Sequence, residues 1–79
     1  MKELIRAYIQ KNFLGPGKNL GDDDPLFESG VIDSLGHLKL ISFLEKEFAV
    51  SLSMDDLTWE NFDSVNKIIA LLDSRKGGA

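Results

Sequence analysis

Few side chains in this sequence can do chemistry. It has no cysteine and a single histidine. What stands out is the pair Asp-Ser, which occurs three times, at Asp33-Ser34, Asp63-Ser64 and Asp73-Ser74. A serine at the start of a helix has a specific chemical potential. The free backbone N–H groups and the positive end of the helix dipole favour an anion there, including one bonded to the hydroxyl oxygen. The same serine can instead serve only as a cap. Asp73-Ser74 lies where the last helical pattern runs into a glycine tail, and it reads as background. The other two pairs both open a helical pattern, and local chemistry does not separate them. Their connections do differ. Ser64 follows a short link flanked by Trp59 and Phe62, both expected to pack inward. Ser34 follows Gly30 and a long connection, which leaves room for another protein to approach.

Two other constellations carry weaker signals. His37 lies three residues from Ser34 and close to Asp33, a composition that suggests a hydrolase. A catalytic triad, however, needs an aligned base, an orienting acid, an oxyanion hole and a cleft. Three neighbours in one helical turn of a 79-residue chain do not readily supply them. "DDDP" at 22–25 hints at a calcium loop. Counted from Asp22, the sixth position holds Phe27 where the EF-hand needs glycine, so the pattern fails. With one histidine and no cysteine no metal site is expected.

The elements that position these residues follow from periodicity. Leu4, Ile5, Tyr8, Ile9 and Phe13 recur at helical spacing and predict a helix over 2–14, stopped by "GPG" at 15–17. A long connection runs from Gly15 to Asp33. Leu20, Leu26, Phe27, Val31 and Ile32 can pin it to a core, so it is expected to be ordered. Leu35, Leu38, Ile41, Leu44 and Phe48, widened by Leu40 and Phe43, predict a helix over 34–48 with Asp33 as its cap. Ser53 and Asp56 have capping-box spacing and predict a short helix near 54–60. Val65, Ile68, Ile69 and Leu72 predict a last helix over about 64–74. The tail 75–79 has no apolar anchor and is expected to fray. The fold class is therefore all-α: a four-helix bundle of three longer helices and one short one, with a long loop between helices one and two. It forms one domain over 1–79.

Composition narrows the function classes. The chain has 13 acidic residues against 9 lysines and arginines, a net charge of -4. It shows no basic stripe with interleaved aromatics, so nucleic acid is not an expected partner. An acidic surface suits partners with basic docking patches. No apolar run approaches the ~20 residues that span a bilayer. "MKELIRAYIQKNF" carries charges throughout, so no secretory leader is expected and the protein should be cytoplasmic.

The stretch "LFESGVIDSLGHLKLISFLEKEF", 26–48, resembles the acyl and peptidyl carrier proteins, whose signature is Asp-Ser-Leu at the start of the second helix. The first helix, the long first loop and "NFDSVNKI", 61–68, also fall where that family has them, so the resemblance covers nearly the whole chain. It implies a bundle of acyl-carrier type. It implies that Ser34 carries 4'-phosphopantetheine, transferred from coenzyme A by a separate phosphopantetheinyl transferase, and that Ser64 is only a cap. It gives Asp33 a part in recognition by the transferase and Leu35 a part in partner contact, beside the plain alternatives of capping and core packing. The implied protein is not itself an enzyme. It is a monomeric carrier of a thioester-linked acyl or aminoacyl group, served by an adenylating loading enzyme and a downstream acyltransferase or synthase. An unmodified helical interaction module is the alternative.

The match has departures. Fatty-acid-type carriers have acidic residues soon after the modified serine, where this chain has Gly36, His37 and Lys39. "FESGVIDSLGHLKLI" is closer to free-standing carriers loaded by dedicated adenylating enzymes, including those that take amino acids such as D-alanine. His37 is expected at the surface, touching the arm or a partner.

Overall fold

The computed structural model describes residues 2–15 and 17–77. The first helix, α1, spans Lys2–Phe13 and buries Ile5 and Ile9, one turn apart on its core face. The second, α2, spans Ser34–Phe48 and buries Gly36, Leu40, Ile41 and Leu44. It ends at Ala49 in the left-handed region, φ 53°, where a small residue limits the strain that a Cβ incurs. The third, α3, spans Val65–Gly77. The fully buried side chains of α1, α2 and α3, with Leu26 and Phe62 between them, make one core.

The described residues therefore hold three α-helices. The expected short helix near 54–60 is instead two 3₁₀ turns, Met54–Leu57 and Trp59–Phe62, separated by Thr58 in extended conformation. The reason lies in Asp56. Its carbonyl, which a continuous helix would offer to a backbone N–H one turn on, accepts from the Asn61 side chain at 3.0 Å. Its carboxylate accepts from the N–H and hydroxyl of Ser53 at 2.9 and 3.0 Å. Arg75 also pairs with that carboxylate, and together these contacts hold its pKa down to about 2. Arg75 is also the first residue of the tail expected to fray. Arg75 anchors the end of α3, which continues to Gly77; of the expected tail, 78–79 lie outside the described residues.

Between Phe13 and Ser34 the described chain makes turns and bends without a helix. Polar contacts bind it on two sides. Asp22 pairs with Lys2 at 3.1 Å and with Arg6, which lowers its pKa, Arg6 being the larger cause. The Asp22 carbonyl accepts from the Asn66 N–H at 3.0 Å, and Asp23 accepts from the Asn66 side chain at 2.7 Å. Asp24 accepts from the Gly21 N–H at 2.7 Å. Asp22 and Asp23 thus tie the connection to the first turns of α1 and α3, while Asp24 braces the turn within the connection itself. Further along, the Asp63 carboxylate accepts from the Phe27 N–H at 3.0 Å, and its carbonyl from the Leu26 N–H at 2.8 Å. Gly30, at φ 83°, makes the turn that delivers the chain to Asp33. Only glycine takes that conformation without strain.

Candidate functional site: the mouth of the second helix

The start of α2 is built by Asp33. Its backbone is extended, φ -105° and ψ -171°, and its carboxylate accepts from the Gly36 N–H at 2.8 Å. Its carbonyl accepts from the His37 N–H, also at 2.8 Å. Ser34 follows as the first residue of the helix, and it is exposed. Among the described residues its hydroxyl has no hydrogen-bond partner. Leu35 beside it is 61% exposed, as is Leu38, one turn on, at 62%. This corrects the stripe read from periodicity. The apolar arc of α2 is wider than the face the core covers, and its Leu35–Leu38 edge is left in solvent.

Ser64 contrasts with Ser34 on each count. It is 4% exposed, and its hydroxyl accepts from the Lys67 N–H at 3.1 Å. Asp63 beside it is buried and engaged by the loop. Ser74 is exposed but lies within α3 rather than at its start. Of the two serines that open helices, only Ser34 presents a free hydroxyl. The two aromatics expected to hold Ser64 inward divide: Phe62 is fully buried, whereas Trp59 is 56% exposed.

Two neighbours of Ser34 have roles that sequence spacing does not disclose. A Cβ on Gly36 would come 3.0 Å from Cε1 of Phe13 and 3.2 Å from Cγ2 of Ile32. The missing side chain lets the mouth of α2 seat against the end of α1, which offsets the cost of about 0.8–1 kcal/mol of glycine in a helix. His37 is not the surface residue expected. Its ring is wedged between Phe27, with centroids 5.1 Å apart, and Phe62, at 4.7 Å. Its Nε2 is buried and has no hydrogen-bond partner. No side chain is placed to use it as a base, so a triad with Ser34 and Asp33 is not assembled.

Burial lowers the His37 pKa below 6.5. The unfolded chain therefore takes up a proton at a pH where the folded one does not. Stability is complete above about 6.5 and falls as the pH drops below it, because excess protons bind the unfolded state. Phenylalanine at this position keeps a ring between Phe27 and Phe62 without a titrating nitrogen. Urea midpoints at pH 7.5 and 5.5 should fall clearly in the wild type and much less in His37→Phe. An equal fall in both would assign the dependence to other groups.

A free hydroxyl, the open first turn of a helix and two exposed leucines within one turn suit a covalent anionic attachment read by another protein. The family described as "Phosphopantetheine attachment site" matches residues 3–72. The chain belongs to that family. Its members carry 4'-phosphopantetheine covalently, a group whose phosphate suits an exposed serine oxygen at the positive end of a helix, and Ser34 is such a serine. The chain is similar to D-alanyl carrier proteins. One from Streptococcus uberis is 40% identical over 69 residues, covering 87% of this chain and 86% of that protein. Another from Streptococcus suis is 34% identical over 70 residues, 89% and 87% of the two chains. A probable acyl carrier protein, PigG, from a Serratia strain is 34% identical over 77 residues, 96% and 88%. Among the described residues of this phosphopantetheine carrier, no helix is long and apolar enough to cross a membrane.

Proposed function

We propose that the chain is a single-domain, free-standing carrier in which the Ser34 oxygen bears the phosphopantetheine and Asp33 and Leu35 frame it. The observation behind this choice of serine is the contrast between Ser34, exposed and unpartnered, and Ser64, buried and committed to a cap. Asp33 holds the first turn rigid through Gly36 and offers its remaining carboxylate surface to the transferase. Leu35 stands out from the helix as an apolar contact for whichever enzyme docks. The group, when bound, supplies a terminal thiol that holds an acyl or aminoacyl cargo as a thioester. The chain provides attachment, orientation and a docking face; it is not itself an enzyme. A tether of this kind keeps its cargo at an effective concentration of order millimolar near a partner's active site.

The cargo we favour is aminoacyl, with D-alanyl the first to test, since several similar proteins are D-alanyl carriers. The partners are then a phosphopantetheinyl transferase, an adenylating enzyme that loads the thiol and an acyltransferase or synthase that unloads it. The carrier would act as a cytoplasmic monomer, with neither nucleic acid nor membrane insertion in its cycle. The direct test is incubation of the purified chain with coenzyme A and a broad-specificity transferase, followed by intact and tandem mass spectrometry. One phosphopantetheinyl group should be gained, on the peptide that contains Ser34. No gain, or a gain on the peptide that contains Ser64, would defeat the assignment. The rival reading is an unmodified interaction module, for which Leu35 and Leu38 would serve equally well. Native protein found always unmodified while bound to a partner would decide for it.

A further inference from the structure

A second surface lies on the other flank of α2, where it meets α1. Tyr8 of α1 and Phe43 of α2 stack there, ring centroids 3.9 Å apart and planes 14° from parallel. Two open concavities meet at this pair. One is lined by Leu38, Lys39, Ser42 and Lys46 beside the two rings, the other by Leu4, Ala7, Lys11 and Asn12. Leu4 and Leu38, two of the large apolar side chains left in solvent, stand at opposite ends. No carboxylate lines either concavity. In a chain of net charge -4, the groove is therefore locally basic. Its three lysines are exposed, and among the described residues none is in an ion pair, whereas Lys2, Arg6 and Arg75 each hold an aspartate.

We infer that this groove docks an acidic amphipathic segment of a partner protein, its apolar face on Tyr8, Phe43, Leu4 and Leu38 and its carboxylates on Lys11, Lys39 and Lys46. A helix laid in a groove reads out such a surface through apolar anchors at i, i+3, i+4 and i+7, with charged groups on its flanks. An anionic membrane fits less well. The surface is concave, and the overall negative charge of the chain opposes approach to a charged plane. Three lysines are also too few for a nucleic-acid track. The groove shares Leu38 with the surface beside Ser34, but Ser34 does not line it, and the inference does not depend on where the arm is attached.

The test uses the full chain, labelled with nitrogen-15, and a synthetic helical peptide with leucines at i, i+3, i+4 and i+7 and glutamates between them. Amide shifts at Tyr8, Lys39, Phe43 and Lys46 should move on titration, and the effect should weaken with added salt. The pair Lys39→Glu and Lys46→Glu should reduce affinity about tenfold or more, since two rim attractions become repulsions. Lys11→Glu, on the other helix, should also weaken binding if the double variant proves unstable. All variants should still accept phosphopantetheine, so failure here is distinguishable from failure of the Ser34 assignment. Unchanged affinity in the variants would overturn the inference. So would shifts that appear with phosphatidylglycerol vesicles and not with the peptide, or shifts that depend on protein concentration alone, which would mark a second copy as the occupant.

Discussion

Ser34→Ala should fold as the wild type does and gain no phosphopantetheine, while Ser64→Ala should gain it fully and be the less stable protein. The two substitutions remove the same hydroxyl from the same kind of helix start, so they isolate environment from chemistry. Ser34 is exposed and its hydroxyl is unpartnered, and alanine is the better helix former. Stability should stay within about 0.5 kcal/mol of the wild type, as for surface substitutions generally. Ser64 is 4% exposed and caps the Lys67 N–H at 3.1 Å. Its loss leaves that donor without an acceptor and should cost about 1 kcal/mol, within a range of about 0.5–2. Intact mass after transferase treatment and urea unfolding of both variants check the pair. Modification surviving in Ser34→Ala, or abolished in a folded Ser64→Ala, would reverse the roles assigned to the two serines.

Phe62→Ala should be the most damaging single truncation near the site, and Trp59→Ala, three residues earlier, nearly harmless. Phe62 is fully buried, within the second 3₁₀ turn and against the ring of His37. Cutting it to alanine opens a cavity where loop, α2 and α3 meet, at a cost of about 3–5 kcal/mol. A 79-residue chain has a total stability of about 4–12 kcal/mol at the usual stability per residue. The loss is thus a large share of the whole and should lower the melting midpoint by roughly 12 °C or more. Trp59 is 56% exposed and meets Phe27 only at a tilted 6.4 Å, so its removal should cost about 1 kcal/mol at most. Far-ultraviolet circular dichroism suits both variants, since Trp59 is the only tryptophan. A greater loss in Trp59→Ala than in Phe62→Ala would mean that the packing around His37 is misplaced.

Much of this protein is determined locally and could be read along the chain. The apolar spacing of α1, α2 and α3 sets where helices form, because each residue's neighbours three and four places away are fixed by the helix itself. Asp33 as the cap of α2 follows from its type and place, since a carboxylate one residue before a helix finds the open N–H groups within its own reach. The candidate serines were likewise countable from sequence. Their different connections already pointed to Ser34 as the accessible one, but the exposure itself was not countable, because it depends on what the rest of the chain brings alongside. Phe62, Asp63 and the returning loop enclose one serine and leave the other in solvent.

The same reason explains the departures. Periodicity marks an apolar arc, but only neighbouring elements decide which part of that arc is covered, so Leu35 and Leu38 remain outside while Gly36 is buried. His37 takes its surroundings from Phe27 and Phe62, residues 10 and 25 positions away along the chain, and its own segment carries no sign of either. The short helix gives way to two 3₁₀ turns because Asn61 and Arg75 reach back to Asp56, and the reach of Arg75 exists only once α3 has docked. Sequence by itself sets the helices, the cap and the chemistry available. Tertiary packing selects which hydroxyl is open, which leucines stay in solvent and where the one histidine is held, since each of these depends on contacts made by residues distant along the chain.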